Sequence, residues 1–258
     1  MFIASVIIIL LIYRSYLFYK KRNDRKTLAE SQRIYLHGFF PKHFSYYNQL
    51  NTEEQQEFID RTIHIRDTLT FKSSHDLLIS ENIKTLISAA FTQITFGFDK
   101  FYLDHFHTIF LHPSAFYSRF IDREVKGLTF ANGMIHWSWD DFVKGYMFSD
   151  DKLNLALHEL AHAIQIACFE NKEVDTPDYA AWQVLAEIEI AHMQANPDHA
   201  YFRAYAASNI HEFFAVTVEY FFEDPKQFRA KLPSLYEATC KVLMQDMALR
   251  VERKLIAG

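Results

Sequence analysis

Two histidines and a glutamate are the first residues whose type and spacing could do chemistry. Residues 151–169 read DKLNLALHELAHAIQIACF, a helical pattern of Leu153, Leu157, Leu160, Ala161, Ile164 and Cys168 into which His158, Glu159 and His162 are set. Positions i and i+4 lie one turn apart on one helix face, so both imidazoles can reach a single ion. Glu159 is offset around the helix and can address a metal-activated water without ligating the metal. Zinc suits two neutral imidazoles plus a carboxylate, with a fourth position left for water. Such an ion lowers the pKa of water to about 7, within reach of a carboxylate base at neutral pH. The bland alternative is an amphipathic helix that happens to carry two histidines. Against it, titratable groups on an apolar helix are costly unless paired or metal-bound.

A third ligand must come from another element, and Asp175, Asp178, Glu187, Glu189, His192, His199, His211, Glu212 and Glu219 are available downstream. The best setting is SNIHEFFAVTVEYFFEDP, residues 208–225. Ser208 or Asn209 can cap this helix, Pro225 ends it, and the body is apolar enough to be buried. Glu212 lies beside Phe213, Phe214, Ala215 and Val216, and a carboxylate buried there needs a partner such as a metal. Glu219 shares its face two turns on and could accept a hydrogen bond from a ligand histidine. An ordinary salt bridge is an equally simple role for it. His211 points elsewhere and reads as peripheral. Two cysteines, Cys168 and Cys240, are too few for a disulfide framework.

The elements that must position these residues are mostly helical. NTEEQQEFIDRTIHIRDTL opens with Thr52 and Gln55 in capping-box spacing, with Phe58, Ile59, Ile63 and Ile65 on its buried side. A second helix is expected from about Ser80 to Phe98. In the middle, HTIFLHP (107–113) and EVKGLTFANGMIHWSW (124–139) are rich in β-branched and aromatic residues, with Asn132-Gly133 as a hairpin signal. A small, partly antiparallel sheet should therefore precede the HELAH helix. Helices are expected over about 152–169, 178–195, 209–223 and 233–249, which makes an α+β domain.

Composition narrows the class further. The chain has 258 residues, 25 of them Phe, with only 6 Gly and 6 Pro, which excludes collagen-like and linker-dominated chains. The formal net charge of −5 lacks the basic footprint of a nucleic-acid binder. The N-terminus differs in kind: MFIASVIIILLIY is almost wholly apolar, and YLFY extends it to Tyr19. Such a run is long enough to cross a bilayer. Arg14 could snorkel to the headgroups, and Tyr13, Tyr16 and Tyr19 suit the interfacial belt. No basic residue precedes the run and no A-x-A-like cleavage site follows it, so an anchor fits better than a signal peptide. Lys20, Lys21, Arg22, Arg25 and Lys26 follow it, which places the remainder on the cytoplasmic side of the membrane. The expected organisation is an anchor over 1–19, a charged tether over 20–37 and one domain over 38–258.

The combination of HELAH, YAASNIHEFFAVTVEYFFEDP (205–225) and FRAKLPSLY (228–236) resembles the Mlc titration factor family of zinc peptidases. FFPKHFSYYNQLNTEEQQEFIDR (39–61), IFLHPSAF (109–116) and GLTFANGMIHWSWDDF (127–142) carry the same resemblance, which spans roughly 38–245. It implies a zincin-like peptidase domain with His158, His162 and Glu212 as zinc ligands and Glu159 as general base. It casts Tyr205, which spacing alone would make one more core or interface aromatic, as the donor to the oxyanion. It also implies that a strand of the 124–139 hairpin pairs with an extended peptide or protein substrate. A non-catalytic, tethered module that binds a regulatory protein is the alternative. One departure stands out: Gln165 replaces a carboxylate that the family usually carries three residues after the second histidine.

Overall fold

The structure is a computed structural model that describes residues 30–74, 77–100, 103–148, 151–167 and 178–257, together with Arg14, Leu17, Phe18, Lys20 and Thr27. The expected anchor over 1–19 and Cys168 thus lie almost wholly or wholly outside the described residues. Among the described residues no helix is long and apolar enough to cross a membrane. The chain divides into two units, Met1–His43 and Phe44–Gly258. In the first, residues 30–43 form a helix (α1) on which Tyr35 stacks against Phe39 with ring centroids 5.7 Å apart.

The second unit is mostly helical with one small mixed sheet. Its first helix, α2 (Thr52–Thr68), starts one residue earlier than the sequence pattern suggests. Asn51 is the N-cap: its side chain accepts from Glu54 N, and Glu54 accepts from Asn51 N, both at 2.9 Å. Asn is a stronger cap than Thr, so the box forms on Asn51 and Glu54 rather than on Thr52 and Gln55. Helix α3 (Glu81–Thr95) is capped by Ser80 and buries a long face against α2, including the Thr62–Thr92 hydroxyl pair at 2.9 Å.

Strands β1 (Thr70–Ser73), β2 (Thr108–His112), β5 (Gly127–Phe130) and β6 (Met134–Ser138) form a sheet ordered β1-β2-β6-β5. The β1–β2 and β2–β6 pairs are parallel, and β5–β6 is antiparallel. Ile109, Leu111, Ile135 and Trp137 alternate onto one face and are fully buried, so the core side of the sheet is fixed by period two. A separate antiparallel ribbon joins β3 (Phe116–Ser118) to β4 (Arg123–Val125). Helix α4 (Trp139–Met147) follows β6 directly and was not expected from the sequence. It is capped by Ser138, whose hydroxyl accepts from Asp141 N at 3.2 Å.

The remaining helices are α5 (Leu155–Ile166), α6 (Tyr179–Ala195), α7 (Ile210–Glu223), α8 (Pro225–Lys231), α9 (Pro233–Leu243) and α10 (Met247–Ala257). A single helix over 233–249 is not formed, because Met244 adopts φ 52° and ends α9 with a left-handed cap. Aromatic rings from α6 and α7 and the segment before α7 interlock: Trp182 meets Phe214 edge-on at 4.9 Å, and Phe202 meets Phe213 at 5.3 Å. That ring packing fixes the placement of α7.

The β5–β6 turn is tight. Gly133 sits at φ 85°, and a Cβ there would fall 2.0 Å from the His105 carbonyl oxygen. Replacing Gly133 with Ala should therefore destabilise the protein by more than about 1 kcal/mol, read as a lower urea midpoint at unchanged slope.

Candidate metal centre

Two helix starts aim the donors. Asn154 caps α5 by accepting from Leu157 N at 3.2 Å, and that capped first turn carries His158. Asn209 caps α7 by accepting from His211 N and Glu212 N at 2.9 and 3.0 Å, which sets Glu212 in the first turn. Helices α5 and α7 pack against each other and bring His158, His162 and Glu212 together. One donor atom from each lies within 4.8 Å of the other two. The other candidates for the third ligand do not join this group among the described residues. Asp178, Glu187, Glu189, His192 and His199 stand apart, and Glu189 instead approaches His192 at 3.6 Å. Asp175 lies outside the described residues.

The donor set fits a divalent ion. Glu212 Oε2 is buried without a hydrogen bond, yet it lies 3.1 Å from His158 Nε2 and 3.7 Å from His162 Nε2. With the His158 Nδ1–H donating to Glu219 Oε1 at 2.8 Å, the neutral ring turns its Nε2 lone pair toward Glu212 Oε2. Lone pairs facing one another need a cation between them. Four-coordinate zinc with bonds of about 2 Å sets its donors about 3.3 Å apart, close to the spacing found here. The local charge agrees. Burial opposes a charged His158, but Glu212 and Glu219 outweigh it and push its pKa up to about 10. Burial likewise works against ionised Glu212, and the two imidazoles overcome it and hold the carboxyl well below the usual range. Surroundings that hold one proton so firmly favour a dication more.

Glu219 is 2% exposed and satisfied on every side. Besides His158 it accepts from Asn154 N at 2.8 Å and pairs with Arg203, whose Nη1 also donates to the Lys152 carbonyl. The geometry is that of the histidine acceptor expected for Glu219. Gln165 takes the corresponding place for the second histidine. Its Oε1 lies 3.4 Å from His162 Nδ1, and its Nε2 donates to the Tyr179 hydroxyl at 2.9 Å. A neutral, long contact thus stands where the resemblance leads one to expect a carboxylate.

Glu159 is not one of the ligand trio but shares its cleft, with its carboxyl held at the edge strand β5. The Thr129 hydroxyl reaches Glu159 Oε2 at 2.8 Å and its carbonyl oxygen at 3.0 Å. Opposite the carboxyl sits Gly127, where a Cβ would come within 2.5 Å of Oε1. Burial raises the Glu159 pKa, against the pull of the two histidines. Tyr205 lies on a short 3-10 turn (Ala204–Ser208), with its ring centroid 6.2 Å from that of His158. Burial and the neighbouring Glu212 push its pKa up to about 12, so its hydroxyl keeps its proton at neutral pH. These groups share a cleft of about 510 Å³ with Gly127, Leu128, Thr129 and the exposed His211, which is closer to the site than its sequence position suggests.

Two imidazoles one turn apart, a carboxylate from a second helix and an acid beside an edge strand are the parts of a metal-dependent peptidase site. The chain belongs to the family of glucose-regulated metallo-peptidases M90, whose sequence profile matches residues 18–243. Mlc titration factor A of Yersinia enterocolitica serotype O:8 / biotype 1B is 26% identical over 224 residues, covering 79% of this chain and 83% of that protein. Mlc titration factor A of Yersinia pestis (strain Pestoides F) is 25% identical over 224 residues, covering 79% and 82%.

Gly127, Thr129, Asn154 and Arg203 were not singled out from sequence. Of these, Arg203 makes the sharpest claim on stability. Truncating Glu219 to Ala leaves its guanidinium without the buried partner, and should cost about 3–5 kcal/mol of unfolding free energy in chemical denaturation. Glu219→Gln, which keeps the volume and one acceptor, should cost less.

Proposed function

We propose that the protein is a zinc-dependent peptidase in which His158, His162 and Glu212 hold the ion and Glu159 is the general base. The observation that carries this is the buried Glu212 oxygen facing two imidazole nitrogens, with the Glu159 carboxyl set apart from them. When bound, the ion polarises the scissile carbonyl and acidifies the attacking water. Glu159 takes the water's proton and passes it to the leaving amine, and its burial-raised pKa suits both halves of that task. Thr129 and Gly127 fix where the carboxyl stands. Tyr205, protonated and within reach of Glu212, donates its hydroxyl to the oxyanion. The substrate lies extended along β5, the last strand of the sheet, and pairs with its free edge. Either an aminopeptidase or an endopeptidase is compatible with this arrangement. The apolar N-terminal run, nearly all of which lies before the family match, would tether the domain to the membrane with the site on the cytoplasmic side.

A second reading has its own support. The relatives are named for the titration of Mlc, and the neutral Gln165 stands beside His162. On that reading the zincin fold is a tethered module that binds a regulatory protein and cleaves nothing.

Two measurements separate them. Glu159→Gln should retain about one zinc per chain by elemental analysis and lose at least about a hundredfold in the rate of cleaving short peptides. A variant that cleaves as fast as the parent would remove Glu159 from the mechanism. A parent protein that carries no zinc and is as stable as His158→Ala would instead favour the binding module.

A further inference from the structure

The cleft beside the ligand trio has one wall built from the β3–β4 ribbon. Ile121, Arg123 and Val125 line it, and all three are two residues apart. Within β4 alternate side chains point to opposite faces, so Glu124 points away from the cleft that Arg123 and Val125 line. Asp122 is taken up by the Tyr117 hydroxyl. The ribbon is fixed to the outer face of the sheet by two ring contacts. Phe116 stacks on His112 with centroids 3.7 Å apart, and Phe120 meets Phe130 edge-on at 5.8 Å. The wall is therefore held in place.

The Arg123 side chain is exposed and forms no ion pair or hydrogen bond with another described residue. Among the described residues that line this cleft it is the one lysine or arginine. Its charge is nonetheless felt at the Tyr205 hydroxyl, which places it within electrostatic range of the reacting end. The cleft lining also carries the apolar Ile121, Val125, Leu128, Ile166 and Ile210, beside neutral polar groups such as Gln165 and Gln183. The charge balance is equally informative. With a dication bound, Glu159 and Glu212 would together cancel it, and Glu219 is paired with Arg203. That would leave Arg123 as the one lysine or arginine charge on a lining whose remaining residues are apolar or neutral polar.

We propose that Arg123 selects peptides that present a carboxylate to this wall, as an acidic side chain or as a free C-terminus near the scissile bond. The assignment deepens the peptidase reading and rests on it for the identity of the cleft's occupant. A guanidinium offers a carboxylate two parallel N–H donors, so the preference should be for carboxylates over other acceptors. Its exposure limits the gain to about fivefold per contact, falling as salt is added.

Binding tests this without turnover. The intact, zinc-loaded chain carrying Glu159→Gln is titrated against fluorescently labelled alanine-rich peptides. These differ only by Glu against Gln at one position, and by a free against an amidated C-terminus. The carboxylate-bearing peptides should bind about fivefold tighter, with Arg123→Gln erasing the ratio, Arg123→Glu reversing it and Arg123→Lys keeping part of it. Loss of the preference on Glu-to-Gln exchange identifies a side-chain carboxylate, and loss on amidation identifies the chain end. A ratio that survives Arg123→Gln overturns the proposal. Arg123-dependent binding by a chain that cleaves none of these peptides with Glu159 intact would sink the peptidase reading and leave Arg123 as a carboxylate-binding residue.

Discussion

Everything in the site hangs on a carboxylate with almost no access to water. Glu219 is buried in α7, and burying an ionised carboxyl costs several kcal/mol unless it is fully paired. It meets that demand with three groups from two segments: His158 of α5 and the Asn154 backbone N–H that opens α5, and Arg203 from the segment before α7. Because one carboxyl satisfies all three, it fixes the register of α5 against α7 and the orientation of the His158 ring together. The lone pair of His158 then points where Glu212, two turns earlier on α7, also points. The donor geometry follows from the buried pairing.

The other half of the site comes from the sheet. β5 is an edge strand, so one side of its backbone is unpaired by β6, and its inner face abuts α5. Glu159 occupies the seam between them. Gly127 gives it room and Thr129 gives it a donor, so the position of the acid is set by a strand and that of the ligands by helices. Separating these two tasks keeps Glu159 from collapsing onto the same ion. It also explains why the edge strand must lie close: a bulkier residue than glycine at 127 would push the carboxyl away from it.

How much of this was legible in the sequence depends on contact range. His158 and His162 are a local pattern, visible because helical periodicity puts i and i+4 on one face. Glu212 and Glu219 were legible for a related reason, as carboxylates on a helix too apolar to be exposed. The hairpin announced itself through Asn132-Gly133, and Gly133 does take the left-handed conformation. The partners of these residues were not legible. Thr129 is 30 residues from Glu159, and Asn154 is 65 residues from Glu219, so no spacing rule links them. β1, with the sequence Thr-Phe-Lys-Ser, has too little alternation to declare itself, and its parallel pairing with β2 depends on α3 crossing between them. Helix α4 was hidden inside a run whose tryptophans read as strand.

The carboxylates of α7 show how closely charge is matched to place. Glu212, Glu219 and Glu223 fall at intervals of seven and four residues, which is one helical stripe, and all face α5 or the turn before it. Three like charges on one buried stripe would repel strongly, so each must be neutralised differently. Glu219 has Arg203. Glu223 is bound by Lys152 N and the Asn154 amide, but burial, with Glu219 nearby, pushes its pKa up to about 8, so a proton largely neutralises it at neutral pH. Glu212 has no arginine, and the burial that would raise its pKa is outweighed by the two imidazoles, which hold it ionised. A stripe on which two of three acids are already neutralised leaves the third as the one position where an added cation is stabilising, and that position is the one between His158 and His162.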